Sequence, residues 1–115
     1  VTEQARHVDG LSAKDKKNLR SAIRKVWQWS TPHRLVIKRC LLPNGFSKCE
    51  GCKKRCPRVY VDHIQRVGDV DDGYIRRMWT PSKNLQGLCK KCHDAKTAVE
   101  RKEQRAMTMN ELDFF

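Results

Sequence analysis

Lys48-Cys-Glu-Gly-Cys-Lys-Lys54 and Leu88-Cys-Lys-Lys-Cys-His-Asp-Ala-Lys-Thr97 decide how this chain is read. Each holds a Cys-x-x-Cys turn, Cys49/Cys52 in the first and Cys89/Cys92 in the second. Zn²⁺ takes four tetrahedral thiolate or imidazole ligands, and two such turns supply them from two chain segments. The 36 residues between the turns exceed the spacing of a simple zinc finger and leave room for a strand and a loop. Cys56, four residues after Cys52, is a competing ligand, ranked lower because the two matched turns are already a complete set. A structural zinc has no open position, so its expected role is to fix chain segments rather than to react.

Working outward, 115 residues make one domain of common size. A hydrophobic fraction of 38% is lean, and a metal staple supplements a small core. No apolar run approaches membrane-spanning length, no signal peptide is seen, and a cytoplasmic location is expected. Six cysteines in that setting point to metal rather than disulfides. Val1 in place of a starting methionine suggests a chain trimmed or excised from something longer. The net charge of +12 falls to about +10 once four thiolates and one Zn²⁺ are counted. Such a field suits a polyphosphate partner, although charge also serves solubility and does not separate DNA from RNA.

Residues 1–45 read as a helical segment with a basic face. Ser12 and Asp15 fit a capping box opening a helix over residues 12–29, on which Leu19, Ile23, Val26 and Ser30 follow helical spacing beside Ala22 and Trp29. The opposite side carries Lys16, Arg20 and Arg24 at i, i+4, i+8, with Lys17 and Lys25. That stripe fits phosphate contact and a solvated face equally well. Thr31-Pro32 starts a second helix, expected to run to about Leu42 and stop at Pro43-Asn44-Gly45. Cys40 is placed in the core and His33 on the surface.

Residues 46–105 form the expected core. Arg58-Val-Tyr-Val61 favours a strand. Residues 65–83 read as a long polar excursion, functional or locally disordered, in which Asp69, Asp71 and Asp72 form a solvated loop lacking the EF-hand pattern. Asn84 to Leu88 alternates, and His93 to about Arg105 suits a helix with Ala95, Ala98 and Val99 inward. Residues 106–115 are an acidic-aromatic tail whose Phe114 and Phe115 can fold back or dock on a partner.

Adjacent helical residues point about 100° apart, so Cys92 and His93 would not naturally bind one ion. With Cys92 on zinc, His93 is aimed toward Asp62 and His63; alternatively it is a spare zinc ligand or a polar residue at a helix start. The order Cys-x-x-Cys, then Val61-Asp-His-Ile64, then Asn84-Leu-Gln-Gly-Leu-Cys-Lys-Lys-Cys-His-Asp-Ala-Lys-Thr97 resembles the zinc-stapled branch of the His-Asn-His (HNH) endonucleases, over roughly Phe46 to Thr97. The resemblance implies an α+β chain with a ββα-metal core: a two-stranded hairpin packed on a helix, behind added N-terminal helices. It implies His63 as general base, Asp62 and His93 as ligands of one catalytic divalent cation (Mg²⁺, Mn²⁺ or similar), and Asn84 as a brace for the loop that holds the base. A neutral imidazole suits the first role, and a hard cation can stabilise charge at phosphorus. Gln65 and Arg66 follow Ile64 where many relatives carry a proline. Consecutive Asp62 and His63 would also face opposite ways on a regular strand. The expected partner is DNA, RNA being possible on charge, with Lys16, Arg20, Arg24 and Lys96 as contact candidates and a homodimer or partner protein for cutting both strands. The competing reading is a non-catalytic zinc-ribbon-like module that binds DNA or RNA.

Overall fold

A computed structural model describes residues 10–113, with side chains described as far as Met107. Helix α1, Ala13–Trp27, opens on the expected capping box: the Asp15 N–H donates to Ser12 Oγ at 3.1 Å and the Ser12 N–H to Asp15 Oδ2 at 3.2 Å. Its buried edge is Trp27, 4% exposed, with Ile23 one turn earlier packed against the core. The apolar stripe expected from spacing is therefore corrected. Val26 is 64% exposed and Trp29 73% exposed, because α1 meets the core through Ile23 and Trp27, four residues apart on one face, and Trp29 lies beyond the helix end.

Helix α2, Thr31–Cys40, is capped by Ser30, whose hydroxyl accepts the His33 N–H, and it buries Val36 and Cys40. It stops two residues short of the expected end, because Leu41 turns extended and bridges to Ser47. Gly45 closes the following turn at φ 88°, a left-handed conformation that glycine adopts without steric cost. Strands β1, Ser47–Lys48, and β2, Arg55–Cys56, pair antiparallel and carry the first cysteine turn between them.

A second antiparallel pair follows. Strand β3, Tyr60–His63, begins two residues later than expected and pairs with β4, Leu85–Leu88, in the register Tyr60↔Leu88 to His63↔Leu85. The excursion between them is not simply a polar loop. It holds helix α3, Tyr74–Met78, and a 3₁₀ turn, Ser82–Asn84, and it buries Val70, Tyr74 and Met78. Arg77 ties it together, donating to the carbonyls of Val67 and Asp69 and to the Asp71 carboxylate.

Helix α4, Lys90–Asp113, packs on β3 and β4 and is far longer than the expected His93–Arg105. The segment expected as a tail is helical to Asp113, while Phe114 and Phe115 lie outside the described residues. Among the described residues the architecture is α+β, with four α-helices and two small antiparallel sheets. One core joins Trp27, Val36 and Cys40 of the helical segment to Val59, Tyr74, Met78, Leu85 and Leu88. Full burial of residues such as Met78 and Leu85 contributes about 1.5–3 kcal/mol each. No described helix is long and apolar enough to cross a membrane.

Candidate metal centre and the adjoining cleft

The short β1–β2 pair and the start of α4 bring Cys49, Cys52, Cys89 and Cys92 together, their sulfurs all within 4.8 Å of one another. Tetrahedral bonds of about 2.3 Å place sulfurs just under 4 Å apart, and Cys52 Sγ lies 4.0 Å from Cys89 Sγ. The cluster is thus compatible with a structural metal such as zinc. Cys49 is fully buried, and burial opposes its ionisation. N–H groups of Cys89, Cys52 and Gly51 outweigh that effect and bring its thiol down to about 6. Hydrogen bonding with the Cys89 and Cys49 sulfurs, added to burial, pushes Cys92 up to about 12. Four crowded sulfurs resist multiple negative charge, and a divalent cation relieves that resistance. Lys53 completes the turn at φ 65° and donates its N–H to the Cys49 carbonyl. Cys56 is outside the group; its buried thiol donates to the Arg58 carbonyl at 3.3 Å.

A clamp that sequence reading missed holds this turn to the rest of the chain. Arg39 on α2 makes a forked pair with Glu50, at 2.9 Å from Nε to Oε2 and 2.7 Å from Nη2 to Oε1. It also donates to the carbonyls of Ser82 and Leu85. Glu50 in turn accepts the Gly87 N–H at 2.7 Å and donates its own N–H to the Gly87 carbonyl. Burial raises the Glu50 pKa, but Arg39 and the Gly87 N–H win and hold the carboxyl below its ordinary value. An arginine and a glutamate eleven residues apart carry no pairing signal in sequence.

His63 ends β3 and lines a cleft of about 320 Å³ with Arg66, Arg77, Thr80 and Asn84. Its Nε2 lies 2.9 Å from the Met78 carbonyl oxygen. A carbonyl only accepts, so Nε2 carries the proton and Nδ1 keeps the basic lone pair. Trp27 stacks on the imidazole at 4.8 Å between ring centres, with an interplanar angle of 26°. His33, expected at the surface, is half-buried edge-on against the same indole, and burial lowers its pKa. Asn84 Nδ2 donates to Thr80 Oγ1 at 2.7 Å, and its carbonyl accepts the N–H of Ile64, the residue after His63.

Asp62 and His93 sit on the other side of β3, against α4. Lys96 Nζ approaches Asp62 Oδ2 to 2.6 Å, a distance for an ion pair without hydrogen-bond alignment. The same ammonium donates to the His63 carbonyl at 2.8 Å and to Glu100 at 2.6 Å. The His93 ring stacks on Tyr60 at 5.5 Å, and its Nδ1 lies 3.8 Å from Asp94. The alternation of a strand explains this division: Tyr60 and Asp62 face α4, while His63 faces Trp27. Among the described residues, three or more His, Cys, Asp or Glu ligand atoms gather only at the four cysteines.

Of the basic candidates, Lys16 and Arg20 are bound to Asp69 at 3.2 and 2.9 Å, so that aspartate pins the β3–β4 excursion to α1. Arg24 is exposed on α1, and Lys96 is half-buried in the pairs just described. No protein-family model, curated protein or solved structure matches the chain.

Proposed function

We propose that this chain is a metal-dependent endonuclease of the HNH kind, hydrolysing phosphodiester bonds in DNA by nicking or cleavage. In this reading β3, β4 and α4 are its ββα-metal element. The observation that supports it most is His63, a half-buried imidazole at the edge of a cleft. Its Nε2 is committed to the Met78 carbonyl and its ring plane is set by Trp27.

An imidazole held that way keeps Nδ1 as the only basic nitrogen, which suits removal of a proton from water attacking phosphorus. The Asn84 main-chain carbonyl holds the turn after His63 through the Ile64 N–H, and its side-chain amide ties that segment to Thr80. Asp62 Oδ2 already holds one cation, the Lys96 ammonium, and on that property rests its fit to a metal. Asp62 and His93 would hold the divalent ion, which would supply charge neutralisation at the phosphate when bound. The cysteine cluster fixes the start of α4 and hence the position of His93.

The test is supercoiled plasmid incubated with Mg²⁺ or Mn²⁺, comparing the wild type with His63→Ala. Loss of a general base lowers the rate by about 10²–10⁴-fold, while zinc content stays unchanged because His63 is outside the cysteine group. Equal nicking by both proteins would remove His63 from the chemistry. One observation favours the second reading, a non-catalytic zinc-ribbon-like nucleic-acid-binding module: Asp62 and His93 are engaged by Lys96 and Tyr60 rather than gathered with each other. Tight DNA binding with no nicking in any metal selects it.

A further inference from the structure

Beside the cysteine cluster, on the side of Tyr60 that leads away from Asp62, runs an open groove of about 650 Å³. Its floor is apolar and aromatic, formed by Pro57, Tyr60 and Ala95 next to the cysteines. Five cations surround it: Lys54, Arg55, Arg58, Lys90 and Lys91. Lys90 is paired with Asp94, while Arg55 lies over the Phe46 ring and Arg58 over Tyr60, each at 4.7 Å. Even with a doubly negative zinc tetrathiolate and Asp94 beside them, five cations leave the surroundings positive. On α1, by contrast, Lys16 and Arg20 already share one carboxylate, that of Asp69.

We infer that this groove binds a single strand of nucleic acid, its phosphates on the Lys54, Arg55 and Lys91 side and one unstacked base against the Tyr60 and Pro57 floor. A cationic channel with an aromatic floor is the chemistry that holds a single strand without reading its sequence. The volume, within the usual range for small-molecule sites, accommodates a nucleotide. Lys54 and Lys91 are exposed and suited to phosphate. Arg58 can move from Tyr60 to a phosphate and leave that ring face to a base. Tyr60 gives the groove its direction, because the same ring stacks on His93. The inference rests on the nucleic-acid reading above, and it adds which face holds the polymer and in what form.

The experiment measures fluorescence anisotropy of labelled oligothymidylate, the equivalent oligouridylate, an abasic strand of equal length, a duplex and an oligoglutamate. The proteins are the zinc-loaded wild type, Lys54→Glu/Lys91→Glu and, for the competing basic face, Lys17→Glu/Arg24→Glu on α1. Far-ultraviolet circular dichroism and zinc content check that each variant is folded. The expected result is that wild type prefers either base-bearing strand over the abasic one. The groove variant loses at least tenfold in affinity, and its slope of log affinity against log salt shrinks by about 1.4, at about 0.7 per phosphate contact on a single strand. The α1 variant changes by less than threefold. If the groove variant binds like wild type while the α1 variant loses affinity, the groove is overturned and nucleic-acid binding stands. An abasic strand held as tightly as oligothymidylate overturns the base seat. Tighter binding of duplex or of oligoglutamate overturns the single-strand occupant. No binding of any nucleic acid overturns both this inference and the reading beneath it.

Discussion

The cysteine cluster and the His63 cleft lie at opposite ends of the same β3–β4 pair, and they are built in opposite ways. At the cluster four identical ligands converge within 4.8 Å, each presented by a tight turn. At the cleft end His63 is held by Trp27 and Met78, and on the other face of β3 Asp62 is held by Lys96 and His93 by Tyr60. A staple needs one strong event that organises distant segments. A reactive group instead needs its own orientation fixed before any ligand arrives. On this comparison, damage at the cluster should spread through the fold, whereas damage at the cleft should stay local.

The largest expected effect is at the cluster. Cys49→Ser or Cys89→Ser removes one of the four clustered sulfurs, and structural zinc binding in small domains is worth about 10–16 kcal/mol, comparable to the whole stability of a domain, about 5–15 kcal/mol. Both variants should lose stoichiometric zinc and cooperative thermal unfolding, and a strong chelator should do the same to wild type. Retention of one zinc per chain by Cys49→Ser would break the contrast at its stronger end.

Next comes Trp27→Ala, which removes a large buried ring at a cost of about 3–5 kcal/mol, read as a lower urea midpoint with zinc still bound. Trp27→Phe should recover most of that loss by restoring a stack on His63. Zinc loss in Trp27→Ala would show that the two regions are one unit rather than two.

The smallest effect is expected at the Arg39–Glu50 clamp. Glu50→Gln should cost about 1 kcal/mol, because both side chains keep partial solvent access. The pH sign follows from Glu50 titrating lower in the folded chain than its ordinary 4.5. Its contribution is complete above that value and is lost as pH falls through the folded pKa. Wild type and Glu50→Gln should therefore converge in melting temperature in acid and separate toward neutrality. A separation that instead widened in acid would reverse the assigned charge state.

Local signals in the sequence were easy to read. The Ser12–Asp15 box, the Thr31-Pro32 start and the two cysteine turns each act within a few residues, and each is found where its local pattern places it. Long-range pairings were not legible. Asp69 looked like a solvated acid, yet it meets Lys16 and Arg20 some fifty residues earlier. Val70, Tyr74 and Met78 seemed scattered in a polar stretch, since a short helix with irregular flanks shows no sustained periodicity. The extension of α4 to Asp113 was missed for a different reason. Glu103, Gln104, Arg105, Ala106 and Met107 are all good helix formers, with no glycine or proline to mark an end. The division of Asp62 from His63 across β3 was legible, because strand alternation states it outright; their separate partners were not.

The contact between the two cysteine turns has a consequence for the order in which this chain is made. Each turn is complete within four residues and can form as soon as it is synthesised. The N–H of Cys89 nevertheless reaches Cys49 Sγ across 40 residues. Closing a segment of that length costs about 3 kcal/mol in chain entropy, and β3 must find β4 within it. A nascent chain carrying only Cys49 and Cys52 therefore has half a binding site and no reward for closing it. Full commitment waits for Cys92 to emerge, which is the earliest point in synthesis at which the four sulfurs can close around a metal such as zinc.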